Sequence, residues 1–474
     1  MLRKLFKDSF TYSVSTFLSM GIGIFMIPFY TRILTPKDYG FIELLAIFGM
    51  VVSVFLNLEI YQAVARFYPD ALSADDKKKI VSTSFWFIIA SFALFNILVL
   101  FIFPKLSVVV LKDPGHSRIF LIGVWAFTFN FIFSFLQRQL IWQLLSRKNA
   151  IASITYTLLV AGFTITFLYV FKMGVIGVFL GQLIAAAVGS MLAFIFARES
   201  YAFVIDVDVF TRLVRFSLPL VPASLAVYGI LYVDRYIINY FLSLNEVGLY
   251  SVAYKLASVI TLMTVGVQTA LTPMIYNYYQ KPETPQNIAL LFRYFFLAGM
   301  ITITAISVFS RDLMVIFTQP AYYQAARLVP CLLFSVFFTS ILNFSPGIFI
   351  EKRTKLIVYI NVFLFLSNVV LNTLFVSIWG VQGAALATML CSLLYFGLYQ
   401  VIGNKFYPIP YPWPALVAVF ACSSAGIMLV YFSRFDGLWL KAGTVCIASI
   451  VMSALLTRSR DWRYCYQLVR GGGS

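Results

Sequence analysis

The sequence predicts an all-α polytopic membrane protein of about 14 transmembrane helices, built as two parallel six-helix repeats plus two appended helices. Three observations carry that prediction. Of the 474 residues, 61% are hydrophobic and only 11% are charged, against about 25% charged in a soluble domain, and the mean hydropathy is +0.91. The apolar residues fall in blocks close to the roughly 20 residues that cross a bilayer. Two motifs then recur along the chain at nearly one offset.

The blocks, bounded by polar residues, Pro or Gly, are 10–32, 41–64, 80–103, 118–144, 150–171, 174–197, 213–241, 247–274, 288–309, 326–349, 356–378, 381–402, 414–433 and 438–457. "MLRKLFKDSF" before the first block resembles a signal peptide, but no small-residue cleavage site follows, so it reads as a retained first helix. The loops are too short for a soluble catalytic domain. Lys and Arg concentrate in alternate loops, as in Lys77, Lys78 and Lys79, Arg147 and Lys148, Lys352, Arg353 and Lys355, and the tail residues Arg458, Arg460, Arg463 and Arg470. By the positive-inside rule both termini are cytoplasmic, as an even span count requires. The net charge of +17 therefore marks a membrane face. Nucleic-acid binding is excluded, because no basic folded soluble module exists. Cys331, Cys391, Cys422, Cys446 and Cys465 show no CxxC spacing and predict neither a disulfide framework nor a metal site; no cofactor is expected. The terminal "GGGS" resembles a vector-derived linker and is set aside.

The repeat is visible in two places. "RILTPKDYGF" (32–41) matches "YFLSLNEVGL" (240–249), pairing Leu34 with Leu242, Thr35 with Ser243, Asp38 with Glu246 and Gly40 with Gly248 at an offset of 208. "GVIGVFLG" (174–181) matches "GVQGAALA" (380–387), pairing Gly174 with Gly380 and Gly177 with Gly383 at an offset of 206. Six spans per copy give both copies one orientation, so this is a parallel repeat with a substrate site expected between the halves. The expected division is an N-terminal lobe at 1–200, a C-terminal lobe at 201–404, appended spans 13 and 14 with a basic cytoplasmic tail at 405–470, and the linker at 471–474. Each repeat starts with a breakable helix: Gly21, Gly23 and Pro28 in the first, Pro219, Pro222 and Gly229 in the seventh. A bend there either lets each half open or simply packs better.

Charges inside spans are costly and usually face a cavity or a partner. The basic ones are Arg66, Arg138, Arg235 and Lys255; the acids are Glu43, Glu59 and Asp234. Tyr228, Tyr232, Arg235 and Asn239 fall at i, i+4, i+7 and i+11, on one helical face. Asp234 points about 100° away. Lys255 lies at nearly the same depth as Asp234 across a hairpin, which predicts an Asp234–Lys255 pair that leaves Arg235 facing the cavity; the other reading is an Asp234–Arg235 pair that pins the helix. Glu59, Gln62 and Arg66 form a second polar stripe, and Asn130, Ser134 and Arg138 a third. Arg138 and Arg66 can also be snorkelling interfacial residues. Arginine's planar fork suits phosphate, and Tyr offers flat faces and hydroxyls to sugars. No P-loop is present, so ATP is not the energy source; coupling to protons or sodium would use Asp234, Glu59 or Glu43.

"YTRILTPKDYGFIEL" (30–44), "VDRYIINYFLSLNEVGLYSVAYKL" (233–256) and "GVIGVFLGQLIAA" (174–186) resemble the Wzx-type polysaccharide flippases (O-antigen and related lipopolysaccharide assembly) of the multidrug/oligosaccharidyl-lipid/polysaccharide exporter superfamily. The resemblance runs to about residue 457. It implies two six-helix lobes, a cationic lumen and alternating access, with no enzymatic step. It implies an undecaprenyl-pyrophosphate-linked oligosaccharide as cargo, moved from the cytoplasmic to the periplasmic leaflet of a bacterial inner membrane. A glycan polymerase and a chain-length regulator are implied partners. The lumen maps onto Arg66, Arg138, Arg235 and Lys255. Fourteen spans exceed the twelve of many members; the added pair resembles the lipid II flippase arrangement, where it makes a groove for the lipid tail. The alternatives are a drug or cation antiporter of the same superfamily, which would want an acidic cavity, and a membrane glycan polymerase or acyltransferase, which would want a large outer loop or a His/acid constellation. A major-facilitator transporter would carry its Gly/Asp/basic signature where "YPDALSADDKKKI" stands.

Overall fold

The computed structural model describes residues 17–19, 21–112, 114–351, 353–433 and 437–456. The start of the first apolar block, Cys465, the basic tail and the "GGGS" segment lie outside them. Among the described residues there is no strand. The helices are α1 Phe17–Thr31, α2 Pro36–Asn57, α3 Ile60–Phe67, α4 Ala74–Leu111, α5 Ser117–Trp142, α6 Ser146–Ile165, α7 Gly174–Ala197, α8 Val207–Ser217, α9 Val221–Phe241, α10 Leu244–Ala257, α11 Ile260–Tyr278, α12 Thr284–Val308, α13 Ser310–Phe317, α14 Val329–Ser340, α15 Gly347–Ile350, α16 Thr354–Phe406, α17 Trp413–Ser433 and α18 Leu438–Leu456.

Among the described residues, 11 helices are long and apolar enough to cross a membrane. The remaining apolar blocks are accounted for individually. A 3-10 segment, Pro320–Arg327, and α14 are long and apolar enough together, bent by 58° as a broken span or a re-entrant loop. α16 runs for 53 residues, about 80 Å at 1.5 Å per residue, far more than one bilayer crossing. It holds two blocks, separated where Gly380 leaves the helical region with φ 60° and ψ −142°. α1 covers the described part of the first block. Two blocks expected as single helices are interrupted. Block 41–64 breaks at Leu58 and Glu59, both left-handed, and block 247–274 breaks between α10 and α11. Block 213–241 starts inside α8 and reaches α9 through a 3-10 turn, Leu218–Leu220, with Pro219 within it and Pro222 in the first turn of α9.

The chain packs as two compact units. One comprises Met1–Val252, Phe317–Tyr322 and Asn361–Ala384; the other comprises Ala253–Ile316, Tyr323–Ile360 and Ala385–Ser474. In the first unit, α7 carries small residues every fourth position, Gly177, Gly181, Ala185, Gly189, Ala193 and Ala197, all buried. A Cβ on Gly181 would meet the Thr164 backbone N at 2.9 Å, and one on Gly189 the Phe133 ring at 3.0 Å. Lipid tails are as apolar as side chains, so close backbone approach supplies the packing energy that hydrophobicity cannot. The core beside it stacks Phe92 on Phe131 at 4.9 Å and tilts Phe85 on Tyr201 at 4.8 Å. In the second unit Phe292 is the hub, 4.8 Å from Tyr411 and 5.0 Å from Phe344. Such pairs contribute about 0.5–1.5 kcal/mol beyond burial.

The repeat is present in the backbone itself. Among the described residues the glycines with positive φ are Gly174 (57°) and Gly380 (60°), which are repeat partners in the sequence. Each opens a helix from a conformation that a Cβ would strain. The other motif pair shares its cap. The Thr35 hydroxyl accepts from Asp38 N at 3.2 Å, and the Ser243 hydroxyl from Glu246 N at 3.4 Å, each satisfying an orphan donor of a first turn. The two motifs also pack on one another reciprocally. A Cβ on Gly40 would lie 2.0 Å from the Leu244 carbonyl oxygen, and one on Gly248 would lie 1.8 Å from the Pro36 carbonyl oxygen. Pro36 and Leu244 are themselves partners at the 208 offset. This contact is therefore a local two-fold.

Candidate functional site

A cavity of about 300 Å3 opens in the first unit, lined by α2, α5, one turn of α3, α7 and the Tyr228 turn of α9. α2 presents Gly49, Ser53 and Asn57 to it at spacings of four. The helix then stops at two consecutive non-glycine left-handed residues, Leu58 with φ 50° and Glu59 with φ 57°. Such residues each cost about 1–3 kcal/mol and persist where the surroundings fix them. The break turns Glu59 into the cavity wall as the N-cap of α3. Glu59 is 1% exposed, and its carboxylate accepts from Gln62 Nε2 at 2.7 Å.

Opposite, α5 lines the cavity with Asn130, Ser134 and Arg138. All three members of that stripe come together because α5 runs unbroken through them. Asn130 Nδ2 donates to the Tyr156 hydroxyl at 2.6 Å. The Arg138 guanidinium lies 4.3 Å from the centre of the Tyr61 ring, within cation–π range. Among the described residues no carboxylate forms an ion pair with Arg138. Tyr228 completes the wall and stacks on Tyr232, 6.4 Å between centres. The lining thus offers one guanidinium, one carboxylate, two phenols and several amides and hydroxyls. The strongly basic cavity expected from sequence narrows to Arg138, with Glu59 as the single acid of the lining.

The expected Asp234–Lys255 clasp is corrected. Arg235 Nη1 reaches Asp234 Oδ1 at 2.7 Å and Oδ2 at 2.8 Å, and also donates to the Leu231 carbonyl at 2.8 Å. The Tyr250 hydroxyl donates to Asp234 Oδ2, and the guanidinium lies 4.9 Å from the Tyr250 ring and 5.6 Å from the Tyr232 ring. The Asp234 and Arg235 side chains are 1% and 3% exposed. Cβ directions 100° apart separate the stems of neighbouring residues, but a long guanidinium stem folds back to the preceding turn. Arg235 is therefore held in a buried ionic cluster and does not line the cavity; Asn239 is likewise buried outside the lining. Lys255 belongs to the second unit. Glu43 is half-buried beside the lining residue Ile42.

Arg66, expected in the lumen, pairs instead with Asp70 one turn on, with the side chains 58% and 57% exposed. Exposed i,i+4 pairs contribute about 0.3–0.5 kcal/mol. Arg66→Gln should therefore shift thermal stability by less than about 1 kcal/mol and leave transport intact; loss of transport with normal protein levels would return Arg66 to the pathway.

Sequence reasoning missed Tyr61, Ser53, Asn57 and Gln182. Ser53 and Asn57 were readable as a polar i,i+4 pair, whereas Tyr61 depends on the turn at Leu58. Among the described residues no group of three His, Cys, Asp or Glu side chains is placed to hold a metal ion. Among the described residues Cys331, Cys391, Cys422 and Cys446 form no disulfide.

A family model described as "Polysaccharide biosynthesis protein" matches residues 5–279, and the MatE model matches residues 219–374. No curated protein matches the chain. Among solved structures, a lipid II flippase MurJ in an inward closed conformation aligns with a TM-score of 0.73 at 17% identity, covering 94% of this chain and 98% of that one. An inward-facing multidrug resistance MATE family transporter of the MOP superfamily aligns at 0.62 and 14% identity, covering 82% and 94%. A MATE protein in the straight conformation aligns at 0.55 and 14% identity, covering 85% and 95%. At these identities the likeness is one of fold.

Proposed function

The chain belongs to the polysaccharide biosynthesis protein family, and from that premise we propose that it is a flippase for lipid-linked oligosaccharide. Its cargo is an undecaprenyl-pyrophosphate-linked repeat unit, passed from the cytoplasmic to the periplasmic leaflet of a bacterial inner membrane by alternating access, with both termini cytoplasmic. The sequence repeat divides the transporter into copies at 1–200 and 201–404, with 405–470 appended, a division by sequence that differs from the two packed units. One observation carries the reading: Arg138 stands in a cavity among Tyr61, Tyr228, Asn130 and Ser134, with no carboxylate among the described residues paired to it. A guanidinium binds phosphate oxygens through two parallel donors. Phenol faces and amides beside it suit the sugar that follows the pyrophosphate.

Glu59 supports coupling to an ion. It is a buried carboxylate in the same wall, held by Gln62, placed where a coupling cation entering the cavity would meet it. Asp234 is committed to Arg235 and is assigned a structural role. Glycan polymerase and chain-length regulator remain the partners that the cargo would meet next.

Arg138→Ala should lower surface glycan by at least about tenfold, a loss of about 1.4 kcal/mol in the step it serves, at unchanged protein level, with Arg138→Lys intermediate. Normal glycan in both variants would sink the reading. A second reading, export of small cations, is favoured by the MatE match together with Glu59 in the lining. It predicts that Glu59→Gln raises sensitivity to cationic dyes while glycan is unaffected.

A further inference from the structure

The break that ends α2 leaves an acceptor unpaired in the cavity wall. Asn57, the last residue of α2, is 1% exposed and lines the cavity. Its Nδ2 donates back to the Ser53 carbonyl. Only the nitrogen of an amide can donate to a carbonyl, so that bond fixes which end is turned away from the helix, and it is Oδ1. Among the described residues Oδ1 has no hydrogen-bond partner. Burial has stripped this oxygen of water and returned nothing for it. A donor or a cation entering the cavity would make up the loss.

Other oxygens converge on the same stretch of wall. Glu59, two residues on, is also 1% exposed and lines the cavity, and Gln62 Nε2 holds its carboxylate at 2.7 Å. Ser53, one turn before Asn57, lines the cavity as well. Its hydroxyl donates to the Met50 carbonyl at 2.7 Å, so what it has left to offer is lone pairs. The last carbonyls of a helix have no intrahelical donor and carry the negative end of its dipole, and α2 ends here. Carboxylate, amide, hydroxyl and main-chain carbonyl oxygens are the ligands of hard cations. One carboxylate balances one positive charge. A proton occupies a single oxygen, whereas a metal ion is shared among several.

We propose that the α2–α3 break binds a sodium ion through Asn57 Oδ1, the Glu59 carboxylate and the C-terminal carbonyls of α2, with the Ser53 hydroxyl beside them. Gln62 is a positioning residue that aims the carboxylate. The site deepens the coupling role given to Glu59 and rests on the flippase reading only for its consequence in transport. Tyr61 links it to Arg138, being two residues from Glu59 with its ring 4.3 Å from the guanidinium. A bound cation offsets the Glu59 charge, which otherwise competes with an anion for Arg138. Sodium and anionic cargo therefore favour one another, each raising the other's affinity by the same factor.

The test uses the full chain in detergent without cargo. Binding of radiolabelled sodium is read by scintillation proximity, with choline chloride holding the ionic strength constant. The parent should bind sodium, and unlabelled sodium but not choline should displace it. Glu59→Gln should abolish binding. Asn57→Ala and Gln62→Ala should each lower affinity about tenfold or more, the scale on which partners that orient a metal ligand count. Asn57→Asp keeps an oxygen for the ion and loses the donor to Ser53, so it should bind at least as tightly as the parent. Melting temperature in choline checks that each variant is folded. The proposal is overturned by a parent that binds no sodium at millimolar concentration, by binding that survives in both Glu59→Gln and Asn57→Ala, or by an Asn57→Asp protein as weak as Asn57→Ala, which would confine the amide to the fold. Absent sodium binding with glycan still lost in Arg138→Ala would sink this site and leave the flippase reading standing. Sodium binding with normal glycan in Arg138→Ala would do the reverse.

Discussion

Asp234→Ala should be the most damaging single truncation within the first unit, leaving little folded protein in the membrane. The change removes the carboxylate that neutralises Arg235, whose side chain is 3% exposed. Breaking a buried pair by deleting one partner costs about 3–5 kcal/mol, a large share of a typical folding free energy. Tyr250→Phe removes one hydrogen bond to the carboxylate and should cost about 1–3 kcal/mol. Replacing Asp234 and Arg235 together by leucine removes both charges and should recover most of the stability lost in Asp234→Ala. The measurement is residual monodisperse protein after heating in detergent. An Asp234→Ala protein as heat-stable as the parent would contradict the buried cluster, and a double variant no better than the single would show that the charges do more than pin α9.

Gly248→Ala carries the second large effect, with Gly40→Ala as its counterpart. The added methyl would sit 1.8 Å from the Pro36 carbonyl oxygen, or 2.0 Å from that of Leu244. Both obstacles are backbone atoms in the first turn of a capped helix, so no side-chain rotation relieves them. The helices must separate by about 1 Å or more, and in close-packed interiors such a shift is felt by every neighbour. Glycan export should fall at least about tenfold, or about 1.4 kcal/mol, while protein level falls less. Leu244, 6% exposed in the crossing, provides a readout. A Leu244→Cys reporter should react faster with an impermeant maleimide in the Gly40→Ala background. Equal labelling rates with normal export would mean that the crossing tolerates a methyl.

Most of the fold was legible because membrane helices announce themselves by length and hydropathy, and because the repeat rests on glycines whose role is geometric. Gly174 and Gly380 matched in sequence for the same reason that they match in φ. The helix breaks were less legible. Leu58 and Glu59 hold left-handed conformations with neither Gly nor Pro to mark them, so a continuous span was the natural expectation. In the cavity, Asn130, Ser134 and Arg138 were readable because α5 is straight enough for i, i+4 arithmetic to hold. Arg235 was misjudged because that arithmetic describes Cβ directions and says nothing of where a long side chain ends. Arg66 had its partner in plain view, as Asp70 stands four residues later, the spacing that pairs side chains on a helix surface.

The reciprocal contact of Gly40 and Gly248 ties the two copies of the motif to one another. Each is the other's neighbour, so a side chain gained in one copy would collide with the backbone of the other. Neither position accepts a larger residue on its own account, and the two glycines act as one mutational unit although 208 positions separate them in the chain.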